Sequence, residues 1–565
     1  VPTYEGRLEL TWTNKPLRLL AHEDGSYEWV PPSDYRVAEV RLLHDAGAVG
    51  EVHADRDRAK DNLLIRGDAL NALTSLIELP DFEREYVGKV KLAYLDPPFN
   101  TQQSFLHYDD ALEHSVWLTM MRDRLAQIRE LLSPSGSVWV HLDDAEVHRA
   151  RCVMDELFGA NNFIATVIWE KTTSGRNDAQ FFSVDQDYIL VYARDREQLR
   201  INRLAPSQAA SRAYKNPDND TRGPWREVDY KGPKTASERP NLFYPIRHPV
   251  TGAEVWPRRE RVWAFGPEEH ERHVKENLLW WGRTGNYTFP KLKKFLGDGI
   301  QPMVPRTFWG EADADTSRRA KDEIKRLFPG VEPFTTPKPE KLLARIMEIA
   351  TDPGDAVIDC FVGSGTTAAV AHKMGRHWLA VELEAATVST FAVPRLTKVA
   401  EGNDRGGVTE ATAWEGGGGF RILDVAPSMF EALDGQVFLS QWATNGKLAE
   451  VTAAQLHYDY EHAPPFAGRR GRSRLAVIDG LVNKDVVQIV VNALPEDERV
   501  VVCGTAIDPD AKAALRKLRA GSTVRKIPYS ILQEYRQAAR WTQRSLLAQV
   551  PSKGAHTPEG EAAPA

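Results

Sequence analysis

Val90-Lys91-Leu92-Ala93-Tyr94-Leu95-Asp96-Pro97-Pro98-Phe99 begins as an apolar run of strand length and stops on two prolines. A short run that is apolar on successive residues is the signature of a strand covered on both faces. Two prolines cannot extend a ladder, because neither has an N–H to donate. Asp96 is therefore expected just past the carboxyl end of a buried strand, the edge at which open α/β sheets bind ligands.

The surrounding sequence repeats this grammar. Asn62-Leu63-Leu64-Ile65 is a second apolar run, closed by Gly67-Asp68 and followed by a helix with leucines at 70, 73 and 76. Residues 115 to 132 have the spacing of a long amphipathic helix, Ser133-Pro134-Ser135-Gly136 reads as a turn, and residues 137 to 142 as the next strand. Strand, helix, strand at this spacing predicts a parallel sheet with helical cover. The pattern lapses between about 160 and 335 and resumes at Pro339 with a helix to Ala350. A turn at Asp352-Pro353-Gly354-Asp355, a strand to Cys360, a helix to about Met374 and a strand from His377 to Val381 follow. One sheet built from two stretches around an insertion is the expectation.

The resulting division is a leader (1–60) with strand-like pieces such as Arg36-Val37-Ala38-Glu39-Val40, one half-domain (61–160), an insertion (161–335) and a second half-domain (336–400). A glycine-rich linker (401–419, with Gly416 to Gly419), a smaller α/β domain (420–545) and a disordered tail (546–565) complete it. In the smaller domain Asp479 and Asp508-Pro509-Asp510 read equally as loop acids or as a site, so an interaction role is expected by elimination.

Asp359-Cys360-Phe361-Val362-Gly363-Ser364-Gly365-Thr366-Thr367 lies where a strand turns into a helix. Gly363 and Gly365 allow a sharp turn and close approach of a ligand to the backbone, and the helix beyond offers free N–H groups. Glu382 follows 19 residues after Gly363, at the end of the next strand, placed to bind the two hydroxyls of a ribose. No Gly-Lys-Ser/Thr follows, so a nucleoside cofactor fits better than a phosphate clamp.

Asp96-Pro97-Pro98-Phe99 suits a difficult reaction, methylation of an aromatic exocyclic amine whose lone pair is delocalised into the ring. A carboxylate and a rigidly held backbone carbonyl can accept from the amine and make it more sp3-like, while Phe99 offers a face on which an extruded base stacks. The tetrapeptide alone also reads as a strand terminator with Asp96 capping a turn.

The chain of 565 residues carries a net charge of −7, yet residues 191 to 310 hold 22 Lys+Arg against 14 Asp+Glu. The same window contains Trp225, Trp256, Trp263, Trp280, Trp281 and Trp309, six of fifteen tryptophans. That composition suits a localised DNA-binding surface, and equally a solvated basic surface over an aromatic core. Cys152, Cys360 and Cys503 are widely spaced, which predicts buried thiols, no metal site and a reducing, cytoplasmic setting. No apolar run reaches the length of a membrane span and the N-terminus lacks the pattern of a secretory signal, so no membrane association is expected.

Taken together, the Asp-Pro-Pro-Phe loop and the later Phe-Val-Gly-Ser-Gly-Thr-Thr resemble the β class of amino-methylating DNA methyltransferases. The likeness is greatest to the modification (Mod) subunits of type III restriction-modification systems. Asn62 to Asp68, Trp117-Leu118-Thr119-Met120-Met121-Arg122-Asp123-Arg124-Leu125, His141-Leu142-Asp143-Asp144 and Thr336-Pro337-Lys338-Pro339-Glu340-Lys341-Leu342-Leu343 match further segments of that family, in its order. The resemblance covers roughly 60 to 400. It implies a Rossmann-like α/β methyltransferase sheet that binds S-adenosylmethionine, a circularly permuted motif order and a target recognition domain in the insertion.

The resemblance further implies Asp96 as amine acceptor, Pro97 as carbonyl provider, Pro98 as its rigid partner and Phe99 as stacking face. Asp68, Lys338, Asp359, Phe361, Gly363, Ser364, Gly365, Thr366, Thr367 and Glu382 would line the cofactor, with Phe361 against its adenine and Lys338 near its methionine end. Phe99 departs from the more frequent tyrosine. An initial Asp favours adenine N6 over cytosine N4, for which Ser-Pro-Pro is more usual, and separates the loop from the Asn-Pro-Pro-Tyr of glutamine and RNA guanine methylases. Arg258, Arg259, Arg261, Lys291, Lys293 and Lys294 are the candidate phosphate contacts on double-stranded DNA. Alternatives are cytosine-N4 or RNA base methylation, and a DNA-sensing subunit without turnover. A restriction or helicase subunit and a second copy of the chain are the expected partners.

Overall fold

A computed structural model describes residues 9–21, 27–100, 113–175, 181–204, 214–298 and 303–537. The expected tail (546–565) lies outside these residues. The chain divides into two compact units, one comprising 1–201 and 306–565 and the other 202–305.

The first unit is built on ten strands: β1 (Leu43–Gly50), β2 (Asn62–Arg66), β3 (Val90–Leu95), β4 (Leu132–Leu142), β5 (Phe163–Glu170), β6 (Gln186–Ala193), β7 (Phe308–Trp309), β8 (Ala356–Asp359), β9 (His377–Glu382) and β10 (Gly419–Val425). They lie in the order β7-β5-β6-β4-β3-β8-β9-β2-β10-β1. The six strands from β4 to β10 are mutually parallel. β6 and β1 run antiparallel at the two flanks of this block.

The principal helices are α1 (Ala69–Glu78), α2 (His114–Leu131), α3 (Val147–Phe158), α4 (Glu340–Ala350), α5 (Thr366–Lys373) and α6 (Val393–Ala400). One face of the sheet, with Leu63, Ile65, Ala93, Leu95, Val138 and Val140 all fully buried, shares a core with α1, α2 and α3. Each such aliphatic side chain contributes about 1.5–3 kcal/mol over its exposed state. The parallel arrangement follows from the helices between strands, which return the chain to the same edge each time.

Several expectations are redrawn. Residues 163–170, 186–193 and 308–309 belong to the main sheet, as β5, β6 and β7, so the inserted unit is narrower than 161–335. The turn expected at 133–136 lies inside β4. Val90 pairs with Leu132 and Leu92 with Ser137, and Gly136 sits where a Cβ would lie 2.8 Å from the Val90 carbonyl oxygen. The expected linker is a packed corner leading into β10, since a Cβ on Gly419 would fall 2.4 Å from the Val49 and Glu51 carbonyl oxygens. The strand-like piece at 36–40 contains the end of a one-turn helix, Tyr35–Ala38, because the Asp34 side chain accepts from the Arg36 N–H and caps it.

The leader is anchored as well. Buried Arg421 of β10 donates to Asp61 at 2.6 Å and also binds Asp45 and Asp55. A five-stranded sheet follows, with strands Asp459–Ala463, Phe466–Arg470, Ser473–Val482, Arg499–Ile507 and Thr523–Lys526 in that order. Its last three strands are parallel. Cys360 and Cys503 are buried, whereas Cys152 is half-buried on α3.

The second unit carries a three-stranded antiparallel sheet of Leu279–Trp280, Lys291–Phe295 and Trp225–Asp229. Tyr230, Ile246, Trp263 and Trp281 form its core. Among the described residues, no helix is long and apolar enough to cross a membrane.

Candidate active site

β3 and β8 are neighbours in register, Leu92 beside Val357 and Ala93 beside Ile358. The loops that leave their carboxyl ends, Asp96-Pro97-Pro98-Phe99 and the glycine-rich turn after Asp359, therefore emerge side by side. A separation of more than 250 residues in sequence becomes adjacency at one sheet edge.

Asp96 is gripped by a residue expected elsewhere. Lys338 Nζ donates to both carboxylate oxygens, at 2.7 and 2.6 Å, and stands 4.9 Å from the centre of the Phe99 ring. Lys338 thus joins the segment before α4 to the Asp96-Pro97-Pro98-Phe99 loop. The loop is held from below by Trp117, whose indole N–H donates to the Pro98 carbonyl at 2.7 Å. Asn100, with φ of +60°, donates to buried Glu146 at 2.8 Å and closes the far end.

In the glycine-rich turn, Asp359 points inward. Its two oxygens accept from the Phe361 N–H at 2.9 Å and the Thr367 hydroxyl at 2.6 Å, and burial pushes its pKa up to about 7. Gly365 adopts φ of +83° at the start of α5, and a Cβ there would meet the Ala392 Cα at 3.3 Å. Ser364 and Thr366 are buried against each other, and the Thr366 hydroxyl accepts from Arg395 at 2.7 Å. Glu382, at the end of β9, accepts from the Gly363 and Glu384 N–H groups at 2.8 and 3.0 Å. Burial raises its pKa as well. Each carboxylate oxygen of Glu382 takes one backbone N–H, and a carboxylate oxygen has a second lone pair. That pair of acceptors fits a vicinal diol.

Asp68 is occupied in the fold. One oxygen caps α1 by accepting from the Leu70 N–H at 2.7 Å and the other takes Arg124 at 2.8 Å.

Beneath the catalytic loop lies a polar group that sequence reasoning did not single out. His141 of β4 is fully buried, its Nδ1 2.9 Å from the Tyr94 hydroxyl and its Nε2 3.3 Å from Asp187. Asp187 also takes Lys171 at 2.7 Å. The signals in the sequence are a histidine in the apolar run from Val138 to Leu142 and its place at the head of the His141-Leu142-Asp143-Asp144 segment.

In the second unit the basic candidates separate. Arg258 and Arg259 are exposed and Lys294 is half-exposed. Arg261 and Lys291 both lie by Asp229, at 3.2 and 3.5 Å. Lys293 corrects the expectation, because it is buried between Asp218 and Asp220 at 2.5 and 3.0 Å and does not face a phosphate backbone. Its strand alternates, and position 293 falls on the inward side. Among the described residues, no cluster of His, Cys, Asp and Glu could hold a metal ion.

Residues 90–392 match the family model described as DNA methylase. Among curated proteins, the probable type III restriction-modification enzyme HindVI Mod subunit of Haemophilus influenzae is 28% identical over 67% of this chain and 56% of its own length. The StyLTI Mod subunit of Salmonella typhimurium is 30% identical over 54% of this chain and 49% of its own. The chain thus spans about half the length of these two relatives. Among solved structures, PvuII DNA methyltransferase, titled cytosine-N4-specific, overlays 61% of this chain and 90% of its own at 15% identity and a TM-score of 0.33.

Proposed function

The chain belongs to the DNA methylase family, and from that premise we propose that it methylates the N6 amine of adenine in double-stranded DNA, with S-adenosylmethionine as donor. The observation that carries this reading is the adjacency of the Asp96 loop and the glycine-rich turn at the carboxyl ends of β3 and β8.

When bound, S-adenosylmethionine supplies an electrophilic methyl group on a sulfonium. Gly363 and Gly365 leave room for the cofactor at the turn, Phe361 lies against its adenine, and Glu382 takes the ribose hydroxyls. Asp359 shapes the turn through Phe361 and Thr367. Adenine N6 lies inside the duplex stack, so the target base must be extruded to reach Asp96. Phe99 then stacks on the base, while the Asp96 carboxylate and the Pro97 carbonyl accept its two N–H bonds. The amine lone pair is released from the ring and aimed at the methyl group. This is catalysis by positioning more than by a strong base. Lys338 takes one acceptor site on each oxygen of Asp96, and the second lone pair of each oxygen is left to accept from the amine.

Arg258, Arg259 and Lys294 serve as backbone contacts, with the unit 202–305 selecting the target. The enzyme acts in the cytoplasm within a restriction-modification system, with a restriction or helicase subunit as partner and a second copy of the chain alongside.

Mass spectrometry of nucleosides from mixed-sequence duplex DNA, incubated with S-adenosylmethionine and either the parent or Asp96→Ala, tests the reading. N6-methyladenine from the parent alone supports it. N4-methylcytosine would transfer the same machinery to cytosine. No methylated base, with cofactor binding intact, would refute turnover by this chain.

A further inference from the structure

Buried ionisable groups cost stability unless they are fully partnered, and an apolar residue at position 141 would pack against Phe99 and Trp169 without that cost. The chain nevertheless places a histidine there and surrounds it with three further polar groups. These lie on separate elements: Tyr94 on β3, Asp187 on β6 and Lys171 just beyond β5. Their common focus is the ring of His141, which stacks on Phe99 with centroids 5.8 Å apart and planes inclined by 23°. Trp169 closes the edge of the same ring at 5.4 Å and 87°.

The protonation pattern follows from the partners. Although burial pushes Asp187 upward, its hydrogen bond with His141 and the charges of Lys171 and Lys338 outweigh it and hold the acid down to about 2. Asp187 is then a pure acceptor, so His141 Nε2 carries the proton and donates. Burial first, and the charge of Lys338 second, keep His141 below its usual pKa, which favours the neutral ring. Its Nδ1 therefore accepts from the Tyr94 hydroxyl. With both nitrogens tied, the ring can neither flip nor slide.

Building on the reading of Phe99 as the base-stacking face, we propose that His141 is a positioning residue, clamped by Tyr94 and Asp187 so that its ring fixes the plane of Phe99 for the extruded base. His141 touches no reacting atom. It acts through Phe99, and the Asp187–Lys171 pair acts through His141. The site gains a rigid aromatic floor from a loop that has no regular structure of its own.

A double-mutant cycle in the full-length chain tests this. Tyr94→Phe removes one anchor and leaves every ring in place, and Phe99→Leu removes the stacking face. Single-turnover methylation of mixed-sequence duplex DNA is measured for the parent, both single variants and the double variant, with S-adenosylmethionine affinity measured by calorimetry. One lost hydrogen bond of positioning corresponds to a roughly tenfold slower methyl transfer. Tyr94→Phe is expected to show that loss with cofactor affinity unchanged, and to have no further effect in the Phe99→Leu background. Asp187→Asn is expected to behave as Tyr94→Phe does.

An additive loss in the double variant, an unchanged rate in Tyr94→Phe or a parallel loss of cofactor affinity would overturn the proposal. An unchanged rate in Phe99→Leu would instead overturn the stacking role of Phe99. Absence of methylation by the parent would sink the functional reading beneath both.

Discussion

Replacing Asp359 with asparagine should stabilise the protein progressively as pH rises. The carboxyl group is fully enclosed by the turn, and burial brings its pKa to about 7 from an ordinary 3.8. Between those values the folded chain retains a proton that the unfolded chain has released, so the stability of the parent falls as pH increases and levels off above 7. From pH 5.5 to 8.5 the folded pKa is crossed after about 1.5 units, which at 1.36 kcal/mol per unit amounts to about 2 kcal/mol. Asparagine does not titrate. Its carbonyl can still accept from the Phe361 N–H, and its amide can donate to the Thr367 hydroxyl, which turns to accept. The gap in urea midpoint between variant and parent, followed by tryptophan fluorescence and scaled by a common slope, should widen by that amount in favour of the variant. A gap that stays constant across the range, or widens in favour of the parent, would refute the assignment of a buried, readily protonated acid to this turn.

Arg421→Ala removes the guanidinium from buried Asp61, which keeps its hydrogen bonds with His53, and should cost about 3 kcal/mol, visible as a large drop in melting temperature; a drop within a degree or two would contradict the anchoring role given to it. Arg258→Ala and Arg259→Ala should each lower the slope of log K against log salt for duplex DNA by about 0.9. Lys293→Ala should leave that slope unchanged while destabilising the 202–305 unit, as limited proteolysis would report. Gly365→Ala forces a Cβ into the left-handed region and onto Ala392, at a cost of about 1–2 kcal/mol, with weakened binding of S-adenosylmethionine by calorimetry as the readout.

The parallel centre of the sheet was legible because β2, β3 and β8 are short apolar runs closed by prolines or glycines, and α1 and α4 have helical spacing. β5 and β6 were not, because they are antiparallel strands lying beyond α3, with no helix among the described residues between them, and nothing local distinguishes them from a peripheral hairpin. The Asp96 loop and the glycine-rich turn could be located from residue types, and the roles expected of them came from the family resemblance. Lys338 could be identified as a site residue, but its grip on Asp96 is a contact across 242 positions that no local pattern encodes. The burial of Lys293 was hidden for the opposite reason. A lysine in a basic stretch looks exposed until the two aspartates that enclose it, far back in the chain, are brought beside it. His141 sat in plain view within a quoted motif, and only the rings around it give it meaning.

The inserted unit enters and leaves through a single doorway. Leu204 and Met303 exchange both of their backbone hydrogen bonds, each at 2.9 Å, so about a hundred residues depart from and return to nearly one point. A module hung on such a hinge can be lifted out and another fitted without re-threading the chain. On the proposed reading of that unit as the target selector, grafts joined at Ile201 and Arg306 would give the same chemistry a new address on DNA.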